Sequence, residues 1–343
     1  MKNYRINVMN GENEISLCER PLKEPLKHQV LIRVNSCAIC TLEQRIYSGV
    51  IKRYPFAGGH EVSGTVALVG CEVKNLHTGD KVVIRLQNTC GECYYCRNGH
   101  ENQCETSFLT STHESMNGPG GFAEFITVDA KNVFKLRQEV ELTQAALIEP
   151  LACCIHSVQK ADINLGDDVV VIGAGIMGAF HIRLAKLRGA RVIACEKDIS
   201  RLEVARRMGA DVLLDSCSGN TVSNVRKLTE NRGANVVFCT AAAPFAATES
   251  MEMSGKLGRV VLYSSFHPDE PINLNVNKVH STEVVITGSV NPDVRDFQIA
   301  CRLFENGMID LGGLITEVVP MQEIDRAFKL ALEPSSYRVI VQY

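Results

Sequence analysis

The chain has 343 residues, of which 45% are hydrophobic and 22% charged, and its formal net charge is −3. This composition is typical of a globular protein of about two domains, and it lacks the basic excess expected of a nucleic-acid-binding protein. The first residues hold no apolar secretion signal, and no apolar run reaches the ~18–20 residues of a membrane span. We therefore expect a cytoplasmic protein whose partners include neither membrane nor nucleic acid.

The first ~150 residues contain short strands of alternating polarity, separated by turns rich in Gly, Asp and Asn. This pattern favours a partly open β-barrel. The predicted strands are Val30–Val34, Gly64–Val69, Lys81–Arg85 and Phe122–Thr127.

Within this predicted barrel, Cys40, His60 and Glu61 lie close together in sequence, and Glu149 follows near its end. A thiolate, an imidazole and one or two carboxylates suit zinc, and a mixed ligand set with an exchangeable position is typical of catalytic sites. From the residues alone a second interpretation stays open. His60 could be a hydrogen-bonded core histidine, and Glu149 could belong to an ordinary helix start.

Four of the fourteen cysteines form a compact C-x2-C-x2-C-x7-C run: Cys90, Cys93, Cys96 and Cys104. Four thiolates bind zinc tetrahedrally and leave no position open, so this spacing predicts a structural zinc. An iron–sulfur cluster uses the same ligands, and two local disulfides are a further alternative. We expect Cys18, Cys71, Cys195, Cys217, Cys239 and Cys301 to pack as small buried hydrophobes.

A nucleotide-binding motif occupies the middle of the chain. The apolar run Asp168–Ile172 predicts a buried strand, and it leads directly into Gly173-Ala174-Gly175-Ile176-Met177-Gly178, a G-x-G-x-x-G sequence. A helix of about a dozen residues and a second strand, Arg191–Glu196, are predicted to follow. This context favours a dinucleotide site, in which the glycines allow the tight turn, approach of the pyrophosphate and close packing of helix on strand.

Glu196 ends the second strand of this unit and predicts the choice of cofactor. Its carboxylate would accept the ribose hydroxyls and repel a 2′-phosphate, so NAD is expected in preference to NADP. Lys197 and Arg201, which follow closely, weaken that preference, and we include Arg201 among the cofactor-binding residues.

Strands and helices continue to alternate as far as Val284–Ile286, which indicates a parallel, doubly wound sheet. Helices are then predicted over Asp296–Glu305 and Ile324–Leu332, and a last strand over Arg338–Gln342. We expect that strand to rejoin the N-terminal domain, which would make this domain discontinuous.

Several motifs together resemble the zinc-containing medium-chain alcohol and polyol dehydrogenases. The similar segments occur in the same order along essentially the whole chain: Gly59-His60-Glu61-Val62-Ser63-Gly64 continuing to Gly70 and Val73, the four-cysteine run, Gly120–Phe125, Ile148–Leu151 and Asn306–Asp310. Glu149-Pro150-Leu151, in place of a cysteine, resembles the sorbitol and threonine dehydrogenase branch.

The resemblance implies an α/β protein, with a GroES-like catalytic domain over residues 1–151 and 291–343 and a Rossmann NAD-binding domain over residues 152–290. The structural-zinc lobe would span about residues 88–106. It also implies two zincs per chain, a homo-oligomer (a dimer or a tetramer), and hydride transfer between a small-molecule alcohol or polyol and NAD. Cys40, His60 and Glu61 would hold the catalytic zinc, with Glu149 a direct or water-bridged ligand.

One departure from the family pattern concerns the residues after Cys40. Family members commonly read Cys-Gly-Ser/Thr-Asp, whereas this chain reads Cys40-Thr41-Leu42-Glu43. Glu43 keeps the acid and is expected to orient His60. Leu42 replaces the hydroxyl that resembles the first step of the family's proton relay, so we expect the proton to leave through Thr41, through water on Glu149 or through a substrate hydroxyl.

Few residues of the sequence indicate the substrate. Arg45, Lys52 and Arg53 suit a carboxylate or phosphate, or else form a solvated loop, and Tyr47 and Phe56 are candidates for either pocket lining or core packing. The absence of Trp slightly favours a polar substrate such as a polyol or a sugar derivative. Two other functions stay open: sugar epimerisation or elimination with retained NAD, and a non-enzymatic zinc- and nucleotide-binding protein.

Overall fold

The structure is a computed structural model that describes residues 3–106, 112–113 and 116–343. It divides into two units, residues 1–152 with 293–343 and residues 153–292. No helix among the described residues is long and apolar enough to cross a membrane.

The first unit is built mainly of strands and is closed by the C-terminal segment. Its strands are β1 Asn3–Gly11, β2 Glu14–Pro21, β3 Gln29–Ala38, β4 Glu61–Val69, β5 Lys81–Arg85, β6 Thr112–His113, β7 Met116–Asn117, β8 Phe125–Asp129 and β9 Val133–Lys135. Its helices are α1 Thr41–Tyr47, α2 Tyr94–Arg97 and α3 Leu142–Ala145, and α4 Ile148–Ala161 begins here.

The second unit alternates strands and helices. Its elements are β10 Asp168–Ile172, α5 Ile176–Leu187, β11 Arg191–Glu196, α6 Ile199–Met208, β12 Val212–Asp215, α7 Thr221–Leu228, β13 Ala234–Cys239, α8 Pro244–Met253, β14 Ser254–Leu262, α9 Val276–Thr282 and β15 Val285–Gly288. The chain then returns to the first unit with α10 Val294–Glu305, β16 Ile315–Pro320, α11 Ile324–Ala331 and β17 Arg338–Gln342.

The first unit folds around a seven-stranded sheet in the order β16-β17-β3-β4-β5-β9, with β8 also paired to β3. The last strand, β17, runs antiparallel to β3, with Ile340 opposite Ala38. The C-terminal strand therefore lies in the N-terminal sheet, and the residues that follow β3 and precede β4 meet the start of β17. Cys40 and His60 occupy those two positions.

The second unit is a six-stranded parallel sheet in the order β12-β11-β10-β13-β14-β15. The three apolar residues Val169–Val171 of β10 are fully buried, because helices cover both faces of such a sheet. The strand order reverses between β10 and β13, and this switch point is where ligands bind in open α/β sheets. The predicted doubly wound sheet is confirmed.

Two local expectations were wrong. The strand predicted from Phe122 begins at Phe125, because residues 122–124 bond instead to β1 through Asn7 N–H to the Phe122 carbonyl at 2.8 Å and Glu124 N–H to the Arg5 carbonyl at 2.9 Å. Cys71 and Cys217 are exposed rather than buried, since they lie outside the hydrophobic cores, and Cys18 is half-buried at the edge of a small cluster that includes Tyr4 and Ile6.

Candidate active site and metal centres

The buried carboxylate of Glu43 contacts the imidazole of His60. Cys40 is the N-cap of α1, and Glu43 is the buried residue of the first turn of that helix. Oε1 of Glu43 is 2.8 Å from Nδ1 of His60 and also accepts the backbone N–H of Gly59 at 3.0 Å. The side chain of Cys40 also acts electrostatically on the imidazole of His60. The carboxylate thus fixes the imidazole orientation, as such partners do for metal-ligating histidines.

Gly59 is required by the tight approach of two chain segments at this point. Its φ is +92°, and a Cβ there would lie 2.6 Å from the backbone nitrogen of Phe122 and 2.8 Å from Sγ of Cys37. Only glycine fits this conformation and this space. The backbone conformation of Gly59 therefore determines the position of the His60 imidazole.

Charge interactions between Cys40, Glu43 and His60 are strong because Glu43 is fully buried and the other two are half-buried beside it. Burial acts to lower the pKa of His60, but the charges of Glu43 and Cys40 raise it well above its usual range. Burial acts to raise the pKa of Glu43, yet the imidazolium of His60 brings it below its usual value. Burial together with Glu61 raises the pKa of the Cys40 thiol. A divalent cation at this point would offset the accumulated negative charge.

Two overlapping sets of donor atoms converge on His60. One set is Cys40, Glu43 and His60, and the other is His60, Glu61 and Glu149; within each set the ligand atoms lie within 4.8 Å of one another. The four residues expected around a catalytic zinc are therefore divided between two groups that share His60. The soft thiolate, the imidazole and the carboxylates form a donor set that fits zinc.

Both carboxylate oxygens of Glu61 are engaged by a residue that the sequence did not suggest. Arg338, at the start of β17, donates its Nη2–H to Oε1 at 2.6 Å and its Nε–H to Oε2 at 3.0 Å. The side chains are 4% and 0% exposed. Burial acts to lower the pKa of Arg338, but Glu61 and Cys40 raise it. In the structure Glu61 is the partner of Arg338, so its expected role as a ligand stays a prediction.

The residues that follow Cys40 point in different directions. Thr41, the first residue of α1, is exposed, whereas Leu42 is partly buried and packs against the hydrophobic core of the first unit. Tyr47 and Phe56 are 1% and 2% exposed, so both are core residues rather than pocket lining. Arg45 and Arg53 are half-buried and Lys52 is exposed.

The four-cysteine run folds into a compact cluster. The sulfur of Cys90 lies 4.0 Å from that of Cys96 and 3.6 Å from that of Cys104. A tetrahedron with zinc–sulfur bonds of ~2.3 Å has edges of about 3.8 Å, so these separations fit four-thiolate coordination. None of the fourteen cysteines, all of which lie in the described residues, forms a disulfide.

Backbone N–H groups point at these sulfurs. Cys90 N–H donates to Sγ of Cys104 at 3.3 Å, and Cys93 N–H donates to Sγ of Cys90 at 3.3 Å. Burial acts to raise the pKa of the Cys104 thiol, but hydrogen bonds from Thr106 and Cys90 lower it to about 6. These donors favour thiolates, the form in which cysteine binds metal.

The glycine-rich turn joins β10 to α5 as the sequence predicted. Gly173 has φ +91°, and a side chain on Gly178 would collide with the carbonyl of Gly173. Gly175 is the N-cap of α5, so Ile176 and Met177 form its first turn. The free N–H groups at this helix start suit a diphosphate.

Glu196 is bound to the glycine-rich turn in a way the sequence did not reveal. Its Oε2 accepts the backbone N–H of Ala174 at 2.6 Å, and its Oε1 accepts those of Lys197 at 2.8 Å and Asp198 at 3.1 Å. The residue is 7% exposed. Arg201 lies over the same turn, since a Cβ on Gly175 would be 3.2 Å from its Nη1. The expected contact of Glu196 with ribose stays a prediction, and its oxygens would have to be shared with these amides.

His181, another residue that the sequence analysis missed, lies fully buried in the middle of α5. Its Nδ1 is 2.7 Å from the Met177 carbonyl and its Nε2 is 2.8 Å from the Ser157 hydroxyl. Burial lowers its pKa to about 4. The only available signal was a histidine on the apolar face of α5.

Comparisons with known proteins agree with this geometry. Residues 26–138 match the family model described as alcohol dehydrogenase GroES-like domain, and residues 177–306 match that described as zinc-binding dehydrogenase. A 2-dehydro-3-deoxy-L-galactonate 5-dehydrogenase of Pseudoalteromonas atlantica is 31% identical, over 93% of this chain and 92% of that protein. A D-arabitol-phosphate dehydrogenase of Enterococcus avium is 28% identical, over 97% and 95%.

Solved structures show the same fold. A zinc-binding dehydrogenase of Sinorhizobium meliloti bound to NADP superposes with a TM-score of 0.92 at 24% identity, with each chain fully covered. Galactitol-1-phosphate dehydrogenase of Escherichia coli gives a TM-score of 0.88 at 25% identity, over 99% of this chain and all of that one.

The chain thus belongs to the zinc-dependent medium-chain alcohol and polyol dehydrogenases, and the family resemblance in the sequence is confirmed. It has the GroES-like and Rossmann folds of that family. It is an oxidoreductase that acts on small-molecule alcohols.

Proposed function

We propose that this enzyme transfers a hydride between a secondary alcohol of a polyol or sugar-type substrate and NAD, with two zincs bound per chain. The observation that carries this proposal is that His60 belongs to two groups of potential ligands, one with Cys40 and Glu43 and the other with Glu61 and Glu149. Such a mixed donor set leaves room for a substrate oxygen, unlike the closed four-cysteine cluster.

Cys40, His60 and Glu149 would hold the catalytic metal, with Glu61 kept close by Arg338. Zinc bound there would supply a Lewis acid for the substrate oxygen, and NAD would accept the hydride. Glu43 keeps the imidazole of His60 oriented by its 2.8 Å contact. The arrangement is set before substrate binds, because the first turn of α1 and the Gly59 turn fix these side chains.

The proton from the substrate hydroxyl needs a route that does not use Leu42, whose side chain packs on the core. The hydroxyl of Thr41 and the carboxylate of Glu149 are the two candidates on the chain, and a second hydroxyl of the substrate is a third. Thr41→Ala and Glu149→Gln each change one of them. If both variants leave the pH dependence of kcat unchanged, both protein routes are wrong.

The decisive experiment is a screen of polyols, sugars and 3-hydroxy acids for NADH formation by the purified protein. We expect turnover with a polyol or sugar derivative, and a loss of at least a thousandfold in kcat/KM for His60→Ala, while Cys71→Ser, an exposed cysteine, keeps full activity. Absence of NADH formation together with co-purified NAD would instead favour epimerisation or elimination with retained cofactor.

The preference for NAD rests on Glu196, whose negative charge lies at the glycine-rich turn. We expect kcat/KM to be higher with NAD than with NADP. Glu196→Gln should lower the ratio of these two kcat/KM values by about tenfold, because it removes a negative charge that would repel the 2′-phosphate of NADP. An unchanged ratio in this variant would contradict the role of Glu196.

Sedimentation of the purified protein tests the expected dimer or tetramer.

A further inference from the structure

Arg85, the last residue of β5, is a buried cation that the proposed reaction does not use. The residue is 2% exposed, and its Nη1 lies 3.3 Å from Oε2 of Glu101. Its Nε and Nη2 are buried and make no hydrogen bond within the described part of the chain. A buried charge with unmade hydrogen bonds is costly, so the site calls for an acceptor or a countercharge beyond Glu101.

The groups around Arg85 come from three elements. Glu101 belongs to the turn between the third and fourth cysteines of the cluster, Asp293 precedes α10, and Cys96 is a member of the cluster itself; all three act on Arg85 electrostatically. Gln87, two residues further on, donates to the Asn102 carbonyl at 3.2 Å. The end of β5 therefore contacts the four-cysteine lobe through Arg85 and the nearby Gln87. Burial lowers the pKa of Arg85 despite these neighbours.

A freely diffusing anion is a poor candidate for the missing partner. The carboxylates of Glu101 and Asp293 already face Arg85 and would repel it. A divalent ion held by four thiolates, in contrast, carries a net charge of about −2, and Cys96, one of those four, already acts electrostatically on Arg85.

We propose that Arg85 is the buried countercharge of the metal-loaded four-cysteine cluster and positions the lobe on the barrel. This inference rests on a metal in that lobe, and not on the substrate or the reaction proposed above. It accounts for an arginine that directly follows three apolar residues of β5, Val82–Ile84. Burying that charge is unfavourable, and the negative charge of the cluster offsets this cost only when metal is bound.

The test measures zinc affinity of the four-cysteine site in the full-length chain. A Cys40→Ser/His60→Ala background removes the other site, and zinc is titrated against a chromophoric chelator. We expect Arg85→Met and Arg85→Gln to raise the zinc dissociation constant by 10- to 100-fold, the range seen when partners outside the ligand shell are lost. Arg85→Lys, which keeps the charge, should stay within a few-fold of the parent.

Arg97→Met is the matched control, because Arg97 is an exposed arginine in the same lobe, and its zinc affinity should not change. Cobalt substitution gives a second readout, since thiolate-to-cobalt absorption reports the four-sulfur site directly. Parental affinity in Arg85→Gln would overturn the proposal, as would equal losses in the lysine and glutamine variants. Failure of the background protein to bind any metal would overturn it too, while leaving the proposed dehydrogenase activity to be judged by NADH formation.

Discussion

Glu61 and Arg338 form a doubly hydrogen-bonded ion pair across 277 residues of chain, with both side chains out of water. The pair joins the start of β4, directly after His60, to the start of the C-terminal strand. It therefore ties the end of the chain to the candidate active site.

Arg338→Met should be strongly destabilising, because it leaves the Glu61 carboxylate buried and unpaired. We expect a loss of about 3–5 kcal/mol in the free energy of unfolding, measured by urea denaturation. Arg326→Met is the control: Arg326 pairs with Glu317 and Glu323 at 48% exposure and should cost less than about 1 kcal/mol. Equal losses in the free energy of unfolding for the two substitutions would show that the buried pair stabilises the fold no more than an exposed pair does.

Metal analysis should separate the two sites. We expect two zincs per chain in the purified protein and one in either Cys93→Ser or Cys40→Ser, because each substitution removes a ligand from a different cluster. Cys71→Ser, which changes an exposed cysteine, should keep two. Iron in place of zinc would support the iron–sulfur alternative, and a full zinc complement in Cys93→Ser would refute the four-cysteine assignment.

Gly178→Ala should disable the nucleotide turn. A methyl group there would overlap the Gly173 carbonyl, so we expect a loss of about 1–3 kcal/mol in unfolding free energy and at least tenfold weaker NADH binding by fluorescence titration. Gly288→Ala is the control, since the nearest atom to its new methyl would be 3.9 Å away. Unimpaired NADH binding in the Gly178 variant would place the cofactor elsewhere.

His181 should make the second unit sensitive to acid. Its pKa is about 4 in the folded protein and ~6.5 when unfolded, so between these values the unfolded chain binds the extra proton. Stability is then complete above pH ~6.5 and falls as the pH drops, by about 2 kcal/mol at pH 5. His181→Asn should remove that part of the difference between pH 7 and pH 5 in urea unfolding. His280→Asn, at an exposed histidine of the same unit, should leave the wild-type dependence intact.

Much of the fold could be predicted from the sequence because local patterns decide it. The strands Lys81–Arg85, Asp168–Ile172, Arg191–Glu196 and Arg338–Gln342 were placed with the bounds seen in the structure, since each is an apolar run between turn residues. The glycine-rich turn was predictable for the same reason.

The candidate site was predicted less completely. Residues near each other in sequence, such as Glu43 and His60, could be related through the family pattern. Arg338 could not, because nothing local links it to Glu61. The three amide hydrogen bonds of Glu196 depend on the path of two loops, which hydrophobic periodicity does not describe.

The register of β4 and β5 places Glu61 directly opposite Arg85. One rung of the sheet thus bears a carboxylate of the candidate active site and the arginine beside the cysteine lobe. A slip of one residue between β4 and β5 would turn the side chains of the displaced strand to the other face of the sheet, so Glu61 and Arg85 would no longer share a face. These two charges therefore act as a check on strand alignment, penalising misfolded pairings that the apolar residues of the two strands would tolerate.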